Sequence, residues 1–263
     1  MSRIGKRFEE LKAGNQKALT AFITAGDPDM ETSLALFKKI EEGGADLVEL
    51  GVPFSDPLAD GPVIQASSQR SLEAGTTLKK IIELVKEIRK TSQLPVILMS
   101  SFNPVYVYGE EAFVQDAVSA GVDGVILPDL PPEEAEGFLA LADAKGLDMI
   151  MLMAPTTSAH RIRMIADKSR GFIYYVSVTG TTGTRNKLAE GVREKVEEIS
   201  KATSLPVLVG FGISGPEQAK EAVKFSDGVI VGSSIVKIIA GEEPVADRIE
   251  KVGRLISEIK NAV

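Results

Sequence analysis

Two carboxylates carry the strongest chemical signal in this chain. Glu49 ends the apolar run Asp46-Leu47-Val48-Glu49-Leu50, and Asp60 follows eleven positions later, across a segment stiffened by Gly51, Pro53 and Pro57. Along a strand side chains alternate, so Leu47 and Glu49 share one face and Val48 and Leu50 the other. An acid at the end of a buried strand loses water around its charged form. Its pKa then rises towards neutrality, the condition for a general acid/base. The competing reading is a Glu satisfied by a nearby amide or Arg. Asp60 is weaker alone, because Asp-Gly is a turn dipeptide and Asp before Gly61-Pro62 can cap a following helix. Asp27 before Pro28, Asp56 before Pro57 and Asp129 before Leu130-Pro131 read as caps or turns.

A second group of residues suits an anion. Three glycine-bearing loops, Val178-Thr179-Gly180-Thr181-Thr182-Gly183-Thr184, Gly210-Phe211-Gly212-Ile213-Ser214 and Val231-Gly232-Ser233-Ser234-Ile235, occupy the C-terminal third. Glycine lets backbone approach a ligand closely, and amides at a helix start point at an anion. Ser233 and Ser234 add hydroxyl donors at the start of a short helix. Lys237, one turn on, reads as a solvated helix lysine. The net charge of −7 would repel a small anion and disfavours nucleic acid, so a phosphate has to be held by such local donors. Phe22 and Phe211 are candidate walls for an aromatic ligand. Tyr174 and Tyr175 point to opposite faces, so one of them is expected at the site.

Other chemistries lack their residues. There is no cysteine and one histidine, His160, in a helical segment read as surface. No lysine stands at a strand end to form an imine, since Lys90, Lys145, Lys168 and Lys201 fall near helix ends or in loops. Metal and imine mechanisms are therefore disfavoured, and acid/base chemistry by carboxylates remains. The apolar runs are too short to span a membrane, and Met1 to Arg7 leads into acidic residues rather than an apolar stretch. A cytoplasmic protein is the default expectation.

The elements that must position these groups repeat. Eight β-rich runs are expected as strands: Ala18–Thr24, Asp46–Leu50, Pro95–Met99, Gly124–Leu127, Asp148–Leu152, Phe172–Val176, Pro206–Val209 and Gly228–Val231. Helical stripes intervene, such as Leu78, Ile81, Ile82, Val85 and Ile88, or Val245, Ile249, Val252, Ile256 and Ile259. Eight such units predict a (β/α)8 barrel, in one domain spanning residues 1–263. A doubly wound open sheet also alternates, but Thr24-Ala25-Gly26-Asp27-Pro28 stands where its glycine fingerprint belongs. In the barrel, Glu49 falls at the C-terminal end of the second strand and the glycine loops follow strands six, seven and eight, where barrels often hold phosphate. Residues Ser2–Lys12 are expected as an extra helix closing the bottom. The connections after strands two (Leu50 to Thr76) and six (Val176 to Lys187) are long, as functional loops are.

On five segments the chain closely resembles the tryptophan synthase alpha subunit family. They are Phe22-Ile23-Thr24-Ala25-Gly26-Asp27-Pro28, Glu49 to Pro57 with Ala59-Asp60-Gly61-Pro62, Tyr174 through Gly183, Gly210-Phe211-Gly212-Ile213-Ser214, and Gly232-Ser233. The resemblance implies retro-aldol cleavage of indole-3-glycerol phosphate to indole and glyceraldehyde 3-phosphate without metal or cofactor. It implies Glu49 as proton shuttle and Asp60 as acceptor of the indole N–H. It implies Phe22 and Tyr174 at the indole pocket, Thr182 on a mobile sixth loop, and Gly183, Gly212, Gly232 and Ser233 around the phosphate. It also implies a pyridoxal-phosphate-dependent beta subunit as partner in an alpha2beta2 complex, met by Pro53, Phe54, Asp56 and Pro57 with Asn103. Related phosphate-binding barrels, such as indole-glycerol-phosphate synthase and phosphoribosylanthranilate isomerase, use strand-end lysines or a cysteine that are missing here. A catalytically silent barrel acting as a regulatory subunit is the other alternative; retention of Glu49 and Asp60 stands against it.

Overall fold

The computed structural model describes residues 2–57, 60–176, 185–210 and 212–263. Helix α1 (Arg3–Ala13) leads into β1 (Ala18–Thr24), α2 (Met30–Glu42) and β2 (Leu47–Gly51). Two helices, α3 (Pro62–Glu73) and α4 (Leu78–Arg89), precede β3 (Val96–Met99), and two more, α5 (Phe102–Tyr108) and α6 (Glu110–Ala120), precede β4 (Gly124–Ile126). Then come α7 (Glu136–Lys145), β5 (Asp148–Met153), α8 (Ala159–Lys168), β6 (Ile173–Val176), α9 (Arg185–Ser200) and β7 (Val207–Gly210). The chain finishes with α10 (Pro216–Ala222), β8 (Gly228–Val231), α11 (Ser233–Ile239) and α12 (Val245–Lys260).

The strands are parallel and close in sequence order into one barrel, β1 to β8, with β8 pairing back onto β1. This is the expected (β/α)8 barrel, with strand ends within a residue or so of those expected. Two buried clusters fill it. Leu47, Ile97, Ile126, Ile150, Phe172, Tyr174, Leu208 and Ile230 fill the barrel interior, while the outward strand residues meet the helices. The stripe on α4 is buried as expected, at Leu78, Ile81, Ile82, Val85 and Ile88. On α12 the stripe is buried from Val252 onward, and Val245 is exposed.

Helix α1 closes the bottom of the barrel. Ser2 is its N-cap rather than its first residue, its Oγ accepting from the Gly5 N–H at 3.1 Å. Ile4 and Leu11 enter the interior cluster, and Phe8 packs on Phe172 with ring centroids 5.8 Å apart. Buried acids pin the helix. Asp46 accepts from Arg7 at 2.7 Å and from the Leu19 N–H at 2.7 Å, and Asp123 accepts from Arg3 at 2.9 Å and the Val96 N–H at 2.8 Å. These bonds keep the carboxylates satisfied where burial would otherwise be costly. Among the described residues no helix is long and apolar enough to cross a membrane.

Candidate active site

Glu49 lies on the inward face of β2. Its register partners are Phe22 on β1 and Ile97 on β3, and Leu47, two residues earlier on the same face, belongs to the interior cluster. The strand runs one residue beyond the expected end, to Gly51, so Glu49 sits one pleat below the rim and is fully buried. Gly51, next on that inward face, lines the cleft at the mouth. Phe22 explains why the acid is dry. A Cβ on Gly51 would lie 2.6 Å from Phe22 Cζ, so the phenyl ring takes the space above Glu49 that a side chain would need. Among the described residues neither Glu49 carboxyl oxygen has a hydrogen-bond partner. Burial pushes its pKa up to about 8, so the acid is held mostly in its neutral form near pH 7.

Asp60 stands at the entrance to α3. It does not cap the helix: Gly61 is the N-cap and makes no side-chain cap bond. Its backbone is fixed instead, with its N–H donating to Pro57 O at 3.1 Å and Gln65 Nε2 donating to its carbonyl at 2.8 Å. The carboxyl faces the cleft half-buried, and burial raises its pKa to about 6. The two acids are therefore poised differently, Glu49 protonated and Asp60 ionised near neutrality.

One cleft joins most of the expected residues. Phe22, Asp60, Ile64, Met99, Tyr174, Gly212, Ile213, Ile230, Gly232 and Ser233 surround its inner lobe. Tyr174, not Tyr175, faces it; Tyr175 points outward and is buried in the outer cluster. Burial, and then the charges of Glu49 and Asp60, hold the Tyr174 hydroxyl well above the ordinary phenol value. A Cβ on Gly210 would come within 2.4 Å of the Tyr174 ring, so that glycine makes room for the phenol. Gly212 has φ of 82°, a conformation that favours glycine, and Ser233 begins α11 beside Gly232. Thr182, Gly183 and Phe211 lie outside the described residues.

A second lobe runs outward from Phe22 and Asp60 to Phe54, Asp56, Pro57, Ser101 and Asp129. Asp56 and Asn103 are exposed beside it and Pro53 is buried beneath the loop. Two apolar side chains near Asn103, Tyr106 at 65% and Val107 at 75% exposure, are among the few large exposed apolar residues described. They lie on α5.

Asp27 corrects the sequence reading. It does lie in the turn after β1, its N–H donating to Thr24 O at 3.3 Å, but its side chain is not a cap, since Asp29 caps α2 by accepting from the Thr32 N–H at 2.7 Å. Asp27 is buried and takes a two-pronged bond from Arg70, at 2.8 Å from Nε and 2.7 Å from the terminal nitrogen. Asp129 does cap, but from another loop: its carboxylate accepts from the Phe102 N–H at 2.8 Å at the start of α5. His160 is exposed on α8, as expected. Ile64, Met99 and Ile230 were not anticipated as lining residues. Met99 and Ile230 were within reach, because two-residue alternation from Ile97 and from Gly228 puts both on inward faces.

A family model described as tryptophan synthase alpha chain matches residues 8–263. The tryptophan synthase alpha chain of Geotalea uraniireducens is 55% identical over 264 residues, covering 100% of this chain and 98% of its own. That of Geobacter sulfurreducens is 51% identical, covering 100% and 99%. Among solved structures, tryptophan synthase subunit alpha from Legionella pneumophila aligns with a TM-score of 0.93 at 41% identity, covering 100% and 98% of the two chains. The aminoacrylate-bound tryptophan synthase of M. tuberculosis aligns at 0.89 with 32% identity, over 100% of both chains. The chain belongs to the tryptophan synthase alpha chain family.

Proposed function

We propose that the cleft is where this chain, a lyase, cleaves indole-3-glycerol phosphate to indole and glyceraldehyde 3-phosphate. The observation that carries the residue roles is a pair of carboxyls in unlike environments, Glu49 fully buried on the inward face of β2 and Asp60 half-buried in the wall of an apolar cleft that continues to Gly212, Gly232 and Ser233. The indole ring lies against Phe22 and Tyr174, and the phosphate meets the backbone donors of Gly212, Gly232 and Ser233, with Gly183, Thr182 and Phe211 contributed by segments outside the described residues.

The chemistry needs one proton in and one proton out. Neutral Glu49 donates its proton to the ring carbon that bears the glycerol chain, which leaves positive charge on the ring nitrogen. Asp60, ionised, accepts the ring N–H hydrogen bond and stabilises that charge. The Glu49 carboxylate then takes the proton from the hydroxyl on the adjacent carbon. The carbon–carbon bond breaks, its electrons return to the ring, and a carbonyl forms on the departing three-carbon phosphate. Glu49 ends protonated, as it began. Apolar walls keep water from the cation and strengthen each electrostatic contact.

The family brings with it a beta-subunit partner. The proposed meeting surface is Phe54, Asp56 and Pro57 with Asn103, the loop being seated on the buried Pro53, in an alpha2beta2 assembly whose beta subunit carries pyridoxal phosphate and receives indole. The Asp60 N–H bond to Pro57 O supports a coupling between docking on this loop and the placement of Asp60. Incubation with indole-3-glycerol phosphate, with and without beta subunit, while following indole tests the reading. Indole release that rises with partner is expected. No release in either condition would leave a silent barrel, and release indifferent to saturating partner would remove the coupling.

A further inference from the structure

Helix α3 is attached to the barrel in an unusual way. Its fully buried residues are Ser67, Ser68 and Ser71, with no large apolar side chain among them. Burial of apolar area is non-directional and tolerates sliding, whereas hydrogen bonds fix position. The helix also packs on α11, but among the described residues its side-chain hydrogen bonds to other elements run to the end of β1 and the turn after it. The Thr24 and Ser67 hydroxyls are 2.6 Å apart, Ser71 Oγ donates to Ala25 O at 2.6 Å, and Arg70 grips Asp27 with two bonds. Gly26, at φ of 80°, fits beneath them, since a Cβ there would fall 2.0 Å from Thr76 Oγ1 and 2.8 Å from Ser71 Oγ. The other end of this helix begins at Pro62, two residues after Asp60.

Asp27 is 1% exposed, yet the cleavage chemistry does not use it. A buried ion pair is weak evidence of stabilisation, because desolvation offsets its attraction. Its two-pronged planar geometry, however, specifies orientation. We propose that the Asp27–Arg70 pair, with the Thr24–Ser67 and Ser71–Ala25 hydrogen bonds, is a positioning device that registers α3 on β1 and so holds Asp60 across the cleft from Phe22. The two elements meet in the cleft wall, which Phe22 and Thr24 of β1 line together with Asp60, Ile64 and Ser68 of the α3 segment. Arg70 is a positioning residue acting through Asp60, and this role rests on the cleavage reading above.

The test is a double-mutant comparison of Arg70→Gln in the wild-type and Asp60→Asn backgrounds, assayed for indole well below each variant's Tm. In the wild-type background kcat should fall about 10- to 100-fold with KM within about threefold, the scale of a small misplacement of a catalytic group. In the Asp60→Asn background the same change should cost less than about twofold, and Arg70→Lys should recover part of the loss. Equal losses in both backgrounds, or an unchanged kcat, would make the pair purely structural and overturn the proposal. If Arg70→Gln yields no folded protein, Ser71→Ala and Arg70→Lys carry the same comparison with the same two outcomes. Hydrogen exchange at residues 60–65 reads the device without any turnover. It should quicken in Arg70→Gln relative to α4, and unchanged protection there would also overturn the proposal. Indole release by the unaltered protein, run alongside, reports on the cleavage reading separately.

Discussion

The ring of Phe22 stands in the space that a side chain on Gly51 would occupy, directly over the inward face that carries Glu49. The arrangement links a wall of the cleft to the protonation of the acid beneath it. Phe22 is 8% exposed and Glu49 is fully buried, so the ring is the last layer between the carboxyl and solvent on that side.

Phe22→Ala should therefore do more than weaken indole binding. Water reaching Glu49 would lower its pKa from about 8 towards the ordinary carboxylate value. The high-pH limb of kcat should move to lower pH, with kcat at pH 7.5 down by about tenfold or more as the neutral acid is depleted. A rise in KM with an unmoved pH limb would show that Phe22 only binds.

The unaltered protein should give a bell-shaped pH dependence. Activity requires Asp60 ionised, and so falls below about pH 6. It requires Glu49 neutral at the outset, and so falls above about pH 8. Asp60→Asn should cut turnover by about 100-fold and remove the acid limb while leaving the alkaline one. Retention of the acid limb in that variant would assign it to another group.

Glu49 should also cost stability as pH rises. Below pH 4.5 the acid is protonated in both folded and unfolded chains, and burial adds no penalty. Between 4.5 and about 8 the unfolded chain releases the proton and the folded one keeps it, so unfolding is progressively favoured. Above about 8 the loss levels at about 5 kcal/mol, from about 1.4 kcal/mol per tenfold change in proton affinity. Urea unfolding at intervals from pH 5 to 8 should show Glu49→Gln gaining on the unaltered protein as pH rises. Parallel stability curves would mean that Glu49 is ionised in the folded state.

Much of this was legible because barrel strands have a simple grammar. Alternation within Asp46-Leu47-Val48-Glu49-Leu50 put Glu49 opposite Val48, and closure of the barrel made that face the interior. What escaped depends on long-range pairing. Nothing near Asp27 in the chain announces Arg70, and an Asp before Pro28 is ordinarily a turn residue. The start of α3 shows in Gly61-Pro62, but its buried face is Ser67, Ser68 and Ser71, so no apolar stripe marks how it docks. The depth of Glu49 escaped for a similar reason: only the packing of Phe22 against Gly51 shows that the rim lies one pleat higher.

The division of labour between the two acids is most directly tested with Glu49→Gln, saturated with indole-3-glycerol phosphate, by measuring single-turnover indole release beside the substrate Kd. Release should fall by about 1,000-fold or more while Kd stays within about threefold, because the amide keeps the shape and loses the proton. Release within tenfold of the unaltered protein, or a Kd weakened in proportion to the lost rate, would contradict Glu49 as the proton shuttle.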